Sequence, residues 1–492
     1  MNRGLNTLPG SELDEVFKAY DIRGLVPEQL DAELCRAIGA AFARFAAAPR
    51  LLVGHDMRLS GEELVAAFCD GARREGATVT LLGLVSTDLV YYASGKLASP
   101  GAMFTASHNP ARYNGIKLCL AGARPVGLDT GLADIKEMAE AIRDGRIALA
   151  RHLVGGVESL DLLDDFADHV VSFVDRSLLK PFKVIADTAN GMGGLVVPKV
   201  FERVPFDLDV MYGELDGTFP NHPADPIQPA NQRDLQARVT ATGADVGLAF
   251  DGDADRVFLV DETGHGLSGS TTTAILATGI LARERGAIIL HNLICSRAVP
   301  EAIRERGGIP IRTRVGHSYI KQLMAETGAA FGGEHSAHYY FRDNYRADSG
   351  IIATMVLLEQ LSQAGVTLSE LRKPFERYAA SGEINTQVAD PPAVIGRVAA
   401  AYASCRQDRL DGLTVDGGPW WFNLRPSNTE PLLRLNLEAP TRDECDERVA
   451  EVLSLVADDR AAVDDGAWPW GTGGHRFVEL PGRDGGLDGR AG

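Results

Sequence analysis

Short apolar runs alternating with helical stripes constrain the fold of this chain more than any other feature. After Pro27, the residues Leu30, Leu34, Ile38, Phe42 and Phe45 recur every three or four positions, the spacing of one helix face. Leu51-Leu52-Val53-Gly54 follows as a buried strand, Ser60 and Glu63 set a capping box ahead of Leu64, Val65 and Phe68, and Thr78–Leu82 reads as the next strand. That order implies α/β units on a parallel or mixed sheet. It restarts at Phe182–Asp187, which runs into a turn with Gly191, Gly193 and Gly194, and again at Ala287–Leu290. Beyond Pro391-Pro392 the pattern changes: Trp420–Leu424 and Leu432–Leu437 read as paired strands, and Thr441 and Glu444 cap a last helix carrying Val449, Val452 and Leu453. The expected fold class is α/β, with three α/β domains of mixed sheets at 1–155, 156–264 and 265–375 and a smaller C-terminal α+β domain at 376–465. The glycine-rich stretch 466–492 is expected to be a mobile tail.

Composition narrows the function. The 492 residues carry 49 Lys and Arg against 67 Asp and Glu, a net charge of −18. Such a surface repels phosphate backbones, so neither nucleic acid nor an anionic membrane is expected as a partner. A small anionic substrate then requires a local cluster of cations. The six cysteines are scattered, without metal or disulfide spacing, and the N-terminus carries Glu12, Asp14 and Glu15 in place of an apolar signal core. No apolar run reaches the roughly 20 residues of a membrane span. These features assign the chain to the cytoplasm.

Five segments carry potential chemistry. The run Ala102-Met103-Phe104 delivers Ser107 and His108 into a loop that Pro110 forces out of helix, with Lys117 downstream; the serine is a candidate nucleophile or an ordinary turn hydroxyl. Asp251, Asp253 and Asp255 alternate between two expected strands, Ala244–Phe250 and Val257–Val260, and Arg256 follows. Three carboxylates this crowded repel each other unless a cation sits among them, and hard oxygens suit Mg²⁺. With Glu262 they match the acidic positions of a calcium-binding EF-hand, but Arg256 stands where that loop needs glycine and strands flank it. A phosphatase using Asp251 as nucleophile is a second competitor.

Around Thr313, the residues Arg312, Arg314, His317 and Lys321 make a local positive field; a solvated helix start has the same appearance. In Gly332–Tyr340, Glu334, Ser336 and His338 alternate onto one side of an extended loop, a set suited to sugar hydroxyls. Arg425, Ser427, Asn428 and Thr429 lie between two apolar runs, an arrangement that fits a phosphate cradle or a plain turn between strands.

In this order, and with Lys18–Gly24 ahead of them, the segments resemble the phosphomannomutase/phosphoglucomutase family of the α-D-phosphohexomutases, from about Phe17 to about Val456. The resemblance implies four domains around a central cleft, each contributing one loop. It implies a phosphoserine at Ser107, Mg²⁺ held by that serine with Asp251, Asp253 and Asp255, and hexose 1,6-bisphosphate as activator. Catalytic roles would fall on Ser107, His108, Lys117, Arg23, Arg256 and His338. Substrate contacts would fall on Tyr20, His317, Glu334, Ser336, Arg425, Ser427, Asn428 and Thr429. The implied reaction interconverts mannose 1-phosphate and mannose 6-phosphate, supplying GDP-mannose synthesis, in a monomer or weak dimer. Glucose phosphates and glucosamine phosphate are alternative substrates, and a sugar phosphatase or a non-enzymatic sensor are alternatives of another class. The sequence departs from the family at His55, Ala254 and Ala337, where relatives often carry Arg or Lys, Gly, and Gly respectively.

Overall fold

A computed structural model describes residues 12–150, 154–427 and 432–457. The chain divides into two compact units, one ending at Arg377 and one beginning at Tyr378.

The first unit holds three mixed sheets. In the second sheet, Lys183–Asp187 pairs in parallel with both Asp207–Met211 and Val246–Phe250, and the latter turns back antiparallel into Val257–Asp261. The third repeats this with Ile288–Asn292, Ile309–Thr313, Phe331–Gly333 and Tyr339–Phe341. The first sheet repeats it again with Arg50–His55, Thr78–Leu84, Gly101–Phe104 and Tyr113–Leu120. Two edge strands extend that sheet, Ile22–Leu25 at one side and Val157–Ser159 at the other, so it runs past residue 155.

All three sheets thus share one strand order, fourth–third–first–second, and in each the third and fourth strands form an antiparallel hairpin. The hairpin loops are 105–112, 251–256 and 334–338, the three segments that carry Ser107, the aspartates and Glu334. Each also holds one non-glycine residue in the left-handed region: Ser107 at φ 49°, Ala254 at 60° and Ala337 at 66°. The two alanines stand where glycine would relax most easily. In the last two loops the amide of that alanine donates to the carbonyl three residues earlier, Ala254 to Asp251 and Ala337 to Glu334.

The three sheets share a core. Leu52 of the first, Val184 and Leu248 of the second and Ile289 of the third belong to one buried apolar cluster, together with Val90 and Ile352 from the helices Thr87–Lys96 and Gly350–Ala364. Among the described residues no single helix is long and apolar enough to cross a membrane. The first long helix spans Ala32–Ala46 with Asp31 as its cap. The helix Gly61–Arg74 forms as expected, but Ser60 makes no capping bond; its hydroxyl instead accepts from the Asn114 side chain.

The second unit is a five-stranded, wholly antiparallel sheet, with helices Pro391–Ala401 and Arg442–Ala457. Thr441 does cap the latter, accepting from the Glu444 amide. The segment 466–492 lies outside the described residues.

Candidate functional site

The serine loop is built around one buried arginine. Arg58 follows the strand Arg50–His55 and its side chain is wholly inaccessible. One terminal nitrogen donates to the carbonyls of Ser107 (2.8 Å) and Asn109 (2.7 Å), the other to those of Pro110 and Tyr113 (both 2.9 Å). Its Nε reaches Asp56 at 3.2 Å, which keeps the charge paired. Ser107 is therefore fixed by backbone, with its amide donating to Thr105 Oγ1 at 2.8 Å.

The aspartate loop abuts it. A Cβ added to Gly252 would lie 2.5 Å from the Ser107 carbonyl oxygen, so only glycine permits this approach. The Ser107 hydroxyl donates to Asp251 Oδ2 at 2.7 Å, and Arg256 Nε donates to the same oxygen at 2.9 Å. Arg256 Nη2 lies 3.4 Å from Ser107 Oγ and donates to His108 Nδ1 at 2.7 Å. Burial and Arg256 together depress His108 well below its usual range, so the imidazole is neutral with that nitrogen accepting. Lys117 Nζ reaches Asp253 at 2.7 Å and Asp255 at 2.6 Å, while Thr87 Oγ1 donates to Asp253 at 2.6 Å. Burial would lower Lys117, but the two carboxylates hold it well above its usual value. Burial pushes Asp251 up to about 7 against the pull of Arg256. Burial would raise Asp253 too, yet Lys117 and Thr87 hold it far below the carboxylate range.

The carboxylates fit a divalent cation. Asp251, Asp253 and Asp255 each offer an oxygen, all within 4.8 Å of one another, and Asp253 Oδ1 and Asp255 Oδ1 are buried without a hydrogen-bond partner. Such oxygens suit a hard cation such as Mg²⁺. Strands on both sides, Val246–Phe250 and Val257–Asp261, exclude the helical flanks of an EF-hand.

In the third hairpin Glu334 is 2% exposed and accepts from Tyr340 Oη (2.7 Å), the Gly316 amide (3.1 Å) and Asn292 Nδ2 (3.3 Å). Ser336 is half-buried at the loop's tip. His338 Nδ1 contacts Asp348 Oδ2 at 2.8 Å and lies 3.8 Å from Asp255 Oδ1, which ties this loop to the aspartates. Burial would lower His338, but Asp255 and Asp348 raise it. Tyr20 donates to the Val315 carbonyl at 3.1 Å and meets His317 edge-on at 5.4 Å, so the N-terminal segment touches the third domain. Burial depresses His317 well below its usual value. Arg23 reaches the Asn109 side chain at 2.6 Å and Asp21 at 2.5 Å.

In the second unit, Arg425 donates to Asn436 Oδ1 (2.9 Å) and Glu383 Oε2 (2.8 Å), and burial lowers its pKa. Arg434 stands opposite Arg425 in the register, contacts Glu383 at 3.5 Å and donates to Ser427 Oγ at 3.3 Å. Asn428 and Thr429 lie outside the described residues.

The structure therefore gathers Ser107, His108, Arg256, Asp251, Asp253, Asp255, Lys117 and His338 into one network, with Arg23 joined through Asn109. Sequence reasoning did not find Thr87, Asp348 or the clamp role of Arg58; it read Lys321 only as part of a local positive field and Tyr340 only as the end of the Gly332–Tyr340 loop. Only Arg58 had a signal, as a charged residue just past a buried strand.

Comparison with known proteins agrees with the geometry. Family domains described as phosphoglucomutase/phosphomannomutase alpha/beta/alpha domains I, II and III match residues 14–145, 164–266 and 268–378, and the C-terminal domain of the same family matches 383–455. The chain is 40% identical over 449 residues to a protein of Xanthomonas campestris pv. campestris named "Phosphohexose mutases", covering 89% of this chain and 98% of that one. It is 37% identical over 432 residues to the "Phosphomannomutase" of Escherichia coli K12, covering 86% and 94%. A solved phosphoglucomutase/phosphomannomutase family protein from Burkholderia thailandensis superposes with a TM-score of 0.83 at 30% identity, covering 92% and 99%. The chain belongs to the phosphoglucomutase/phosphomannomutase family of the α-D-phosphohexomutases and is an isomerase-class phosphohexomutase.

Proposed function

We propose that the protein interconverts mannose 1-phosphate and mannose 6-phosphate through a phosphoserine at Ser107 and a hexose 1,6-bisphosphate. The observation that carries this reading is the Ser107 hydroxyl, fixed by backbone and donated to Asp251 at 2.7 Å with Arg256 beside it. Phosphoryl transfer needs positioning and cationic stabilisation above all. Arg256 supplies positive charge at the serine oxygen, and Lys117 sets the spacing of Asp253 and Asp255. Asp251, Asp253, Asp255 and the serine oxygen are the ligands for Mg²⁺, which when bound offsets charge on the transferring group.

Asp348 fixes Nδ1 of His338 as the protonated nitrogen and leaves Nε2 to exchange a proton with a substrate hydroxyl. In the first half-reaction the phosphoserine passes its phosphoryl group to the sugar phosphate. In the second, the bisphosphate presents its other phosphate and Ser107 takes that group back. Glu334 and Ser336 are assigned to the sugar, and Arg425, Ser427, Asn428 and Thr429 to its distal phosphate. All six cysteines are free thiols, which supports a cytoplasmic setting.

A second reading, activity on both mannose and glucose phosphates, is favoured by the wider name of the Xanthomonas relative. The two sugars differ at one hydroxyl, and such discrimination is modest unless a polar group is built for it. The test follows 6-phosphate formation from each 1-phosphate with Mg²⁺ and trace hexose 1,6-bisphosphate, while free phosphate is monitored. Turnover without free phosphate, lost in Ser107→Ala, is expected. Free phosphate without isomer, or a Ser107→Ala variant within tenfold of the parent, overturns the reading.

A further inference from the structure

The helix Thr87–Lys96 belongs to the first domain by sequence order, yet its first two turns contact the loops of the other two. Thr87 holds Asp253, and the Asp88 carboxylate accepts from Ser349 Oγ at 2.6 Å, the residue that caps the helix Gly350–Ala364. One turn on, the ring of Tyr91 lies 3.8 Å beneath the ammonium of Lys321. Further along, a Cβ on Gly95 would lie 2.3 Å from the Tyr345 ring, so the helix seats without slack.

Lys321, on the helix His317–Thr327, is 2% exposed. Its Nζ pairs with Asp348 Oδ1 at 2.8 Å, and the other oxygen of that carboxylate contacts His338 Nδ1 at 2.8 Å. Burial alone would raise the Asp348 carboxyl, but Lys321 and His338 hold it well below its usual range. An apolar pair of similar volume is commonly as stable as a buried ion pair, so stability does not explain the choice. A fixed charge does: it keeps Asp348 ionised with one oxygen aimed at the imidazole, which sets the tautomer and plane of the ring.

We propose that Lys321 is a positioning residue for His338, acting through Asp348 and seated on the face of Tyr91. The inference rests on the reading above, in which His338 exchanges a proton with the substrate. The experiment is a double-mutant cycle on the full chain, read as mutase turnover and as single-turnover transfer from phosphorylated Ser107. Lys321→Met keeps the stem and removes the charge. It is expected to lower kcat by about 10–100-fold, the usual cost of losing such a supporting contact, with KM within about twofold. In a His338→Ala background the same change is expected to cost less than about threefold, because the group it positions is gone. Equal losses in both backgrounds mean a merely structural role and overturn the proposal, as does a loss under about threefold in the parent.

Should Lys321→Met fail to fold, Tyr91 carries the test. Tyr91→Leu removes the cation's seat and is expected to lower kcat with KM held, and Tyr91→Phe, which keeps the ring face, is expected to recover most of it. Equal rates for the two variants overturn the proposal. A parent that forms no hexose 6-phosphate fails the functional reading itself, a result visible before any variant is made.

Discussion

Replacing Arg58 with lysine keeps the charge and removes the fork. The guanidinium makes five bonds, four of them to carbonyls of the serine loop and its flanks. An ammonium has three donors radiating from one atom, so at least two of the five are lost. Bonds from a charged donor contribute about 1.5–3 kcal/mol each, and the bond to the Ser107 carbonyl is buried, where water substitutes poorly. The loop is then loosened by about 3 kcal/mol, equivalent to roughly a hundredfold more frequent opening. Hydrogen exchange of a peptide covering 105–113 measures this directly, and peptides from the strand Val246–Phe250 provide the internal control. Exchange in 105–113 should accelerate by at least tenfold in Arg58→Lys while the control strand changes little. Exchange within threefold of the parent would refute the clamp, and an equal rise in both segments would show general destabilisation instead.

Three further outcomes follow from the same geometry. Gly252→Ala places a methyl 2.5 Å from the Ser107 carbonyl and must separate the two loops by the better part of an ångström, so turnover should fall about a hundredfold; a steady-state assay showing a loss under threefold contradicts the close approach. His222 has both ring nitrogens facing acceptors, the Asp187 carboxylate at 3.0 Å and the Pro223 carbonyl at 2.9 Å. Burial would lower its pKa but Asp187 raises it overall. Its stabilisation is therefore full below the unfolded value near 6.5 and fades as pH climbs through the folded one, so the melting-temperature gap between parent and His222→Ala should narrow from pH 6 to pH 9. A gap that widens reverses the assignment. Mg²⁺ at about 100 times its Kd should stabilise the parent by about 2.7 kcal/mol, and the shift should vanish in Asp253→Asn. Full turnover after exhaustive chelation would remove the metal from the reaction.

The sequence-based strands Thr78–Leu82 and Phe182–Asp187 sit within a residue or two of the observed Thr78–Leu84 and Lys183–Asp187, because the β-branched and apolar residues at the centre of a parallel strand form a short run that stands out locally. The capping box at Ser60 and Glu63 had the right local pattern and still did not form, because Asn114, on the strand Tyr113–Leu120, donates to the Ser60 hydroxyl. Ser107, the aspartates and Glu334 were legible because each stands in a short loop whose residue types have few structural uses. Their supports were not. Thr87 meets Asp253 across 166 positions and Asp88 meets Ser349 across 261, so no periodicity links them. The repetition of one strand order in three sheets was also hidden, since topology survives changes of side chain that erase similarity in sequence.

That repetition separates scaffold from chemistry. Each hairpin is a socket: two paired strands decide where a residue emerges, and the few positions between them decide what it offers, be it a hydroxyl, a set of carboxylates or the Glu334 carboxylate with His338. On the proposed reading, the sugar contacts of Glu334 and Ser336 share one strip of the chain with the proton-exchanging His338, apart from the strip that carries Ser107. On that reading, changes at 334–337 would alter what is recognised, whereas His338, 3.8 Å from Asp255 and 2.8 Å from Asp348, would have to stay to keep the loop tied to the aspartates; one mutase scaffold can in this way serve different hexoses.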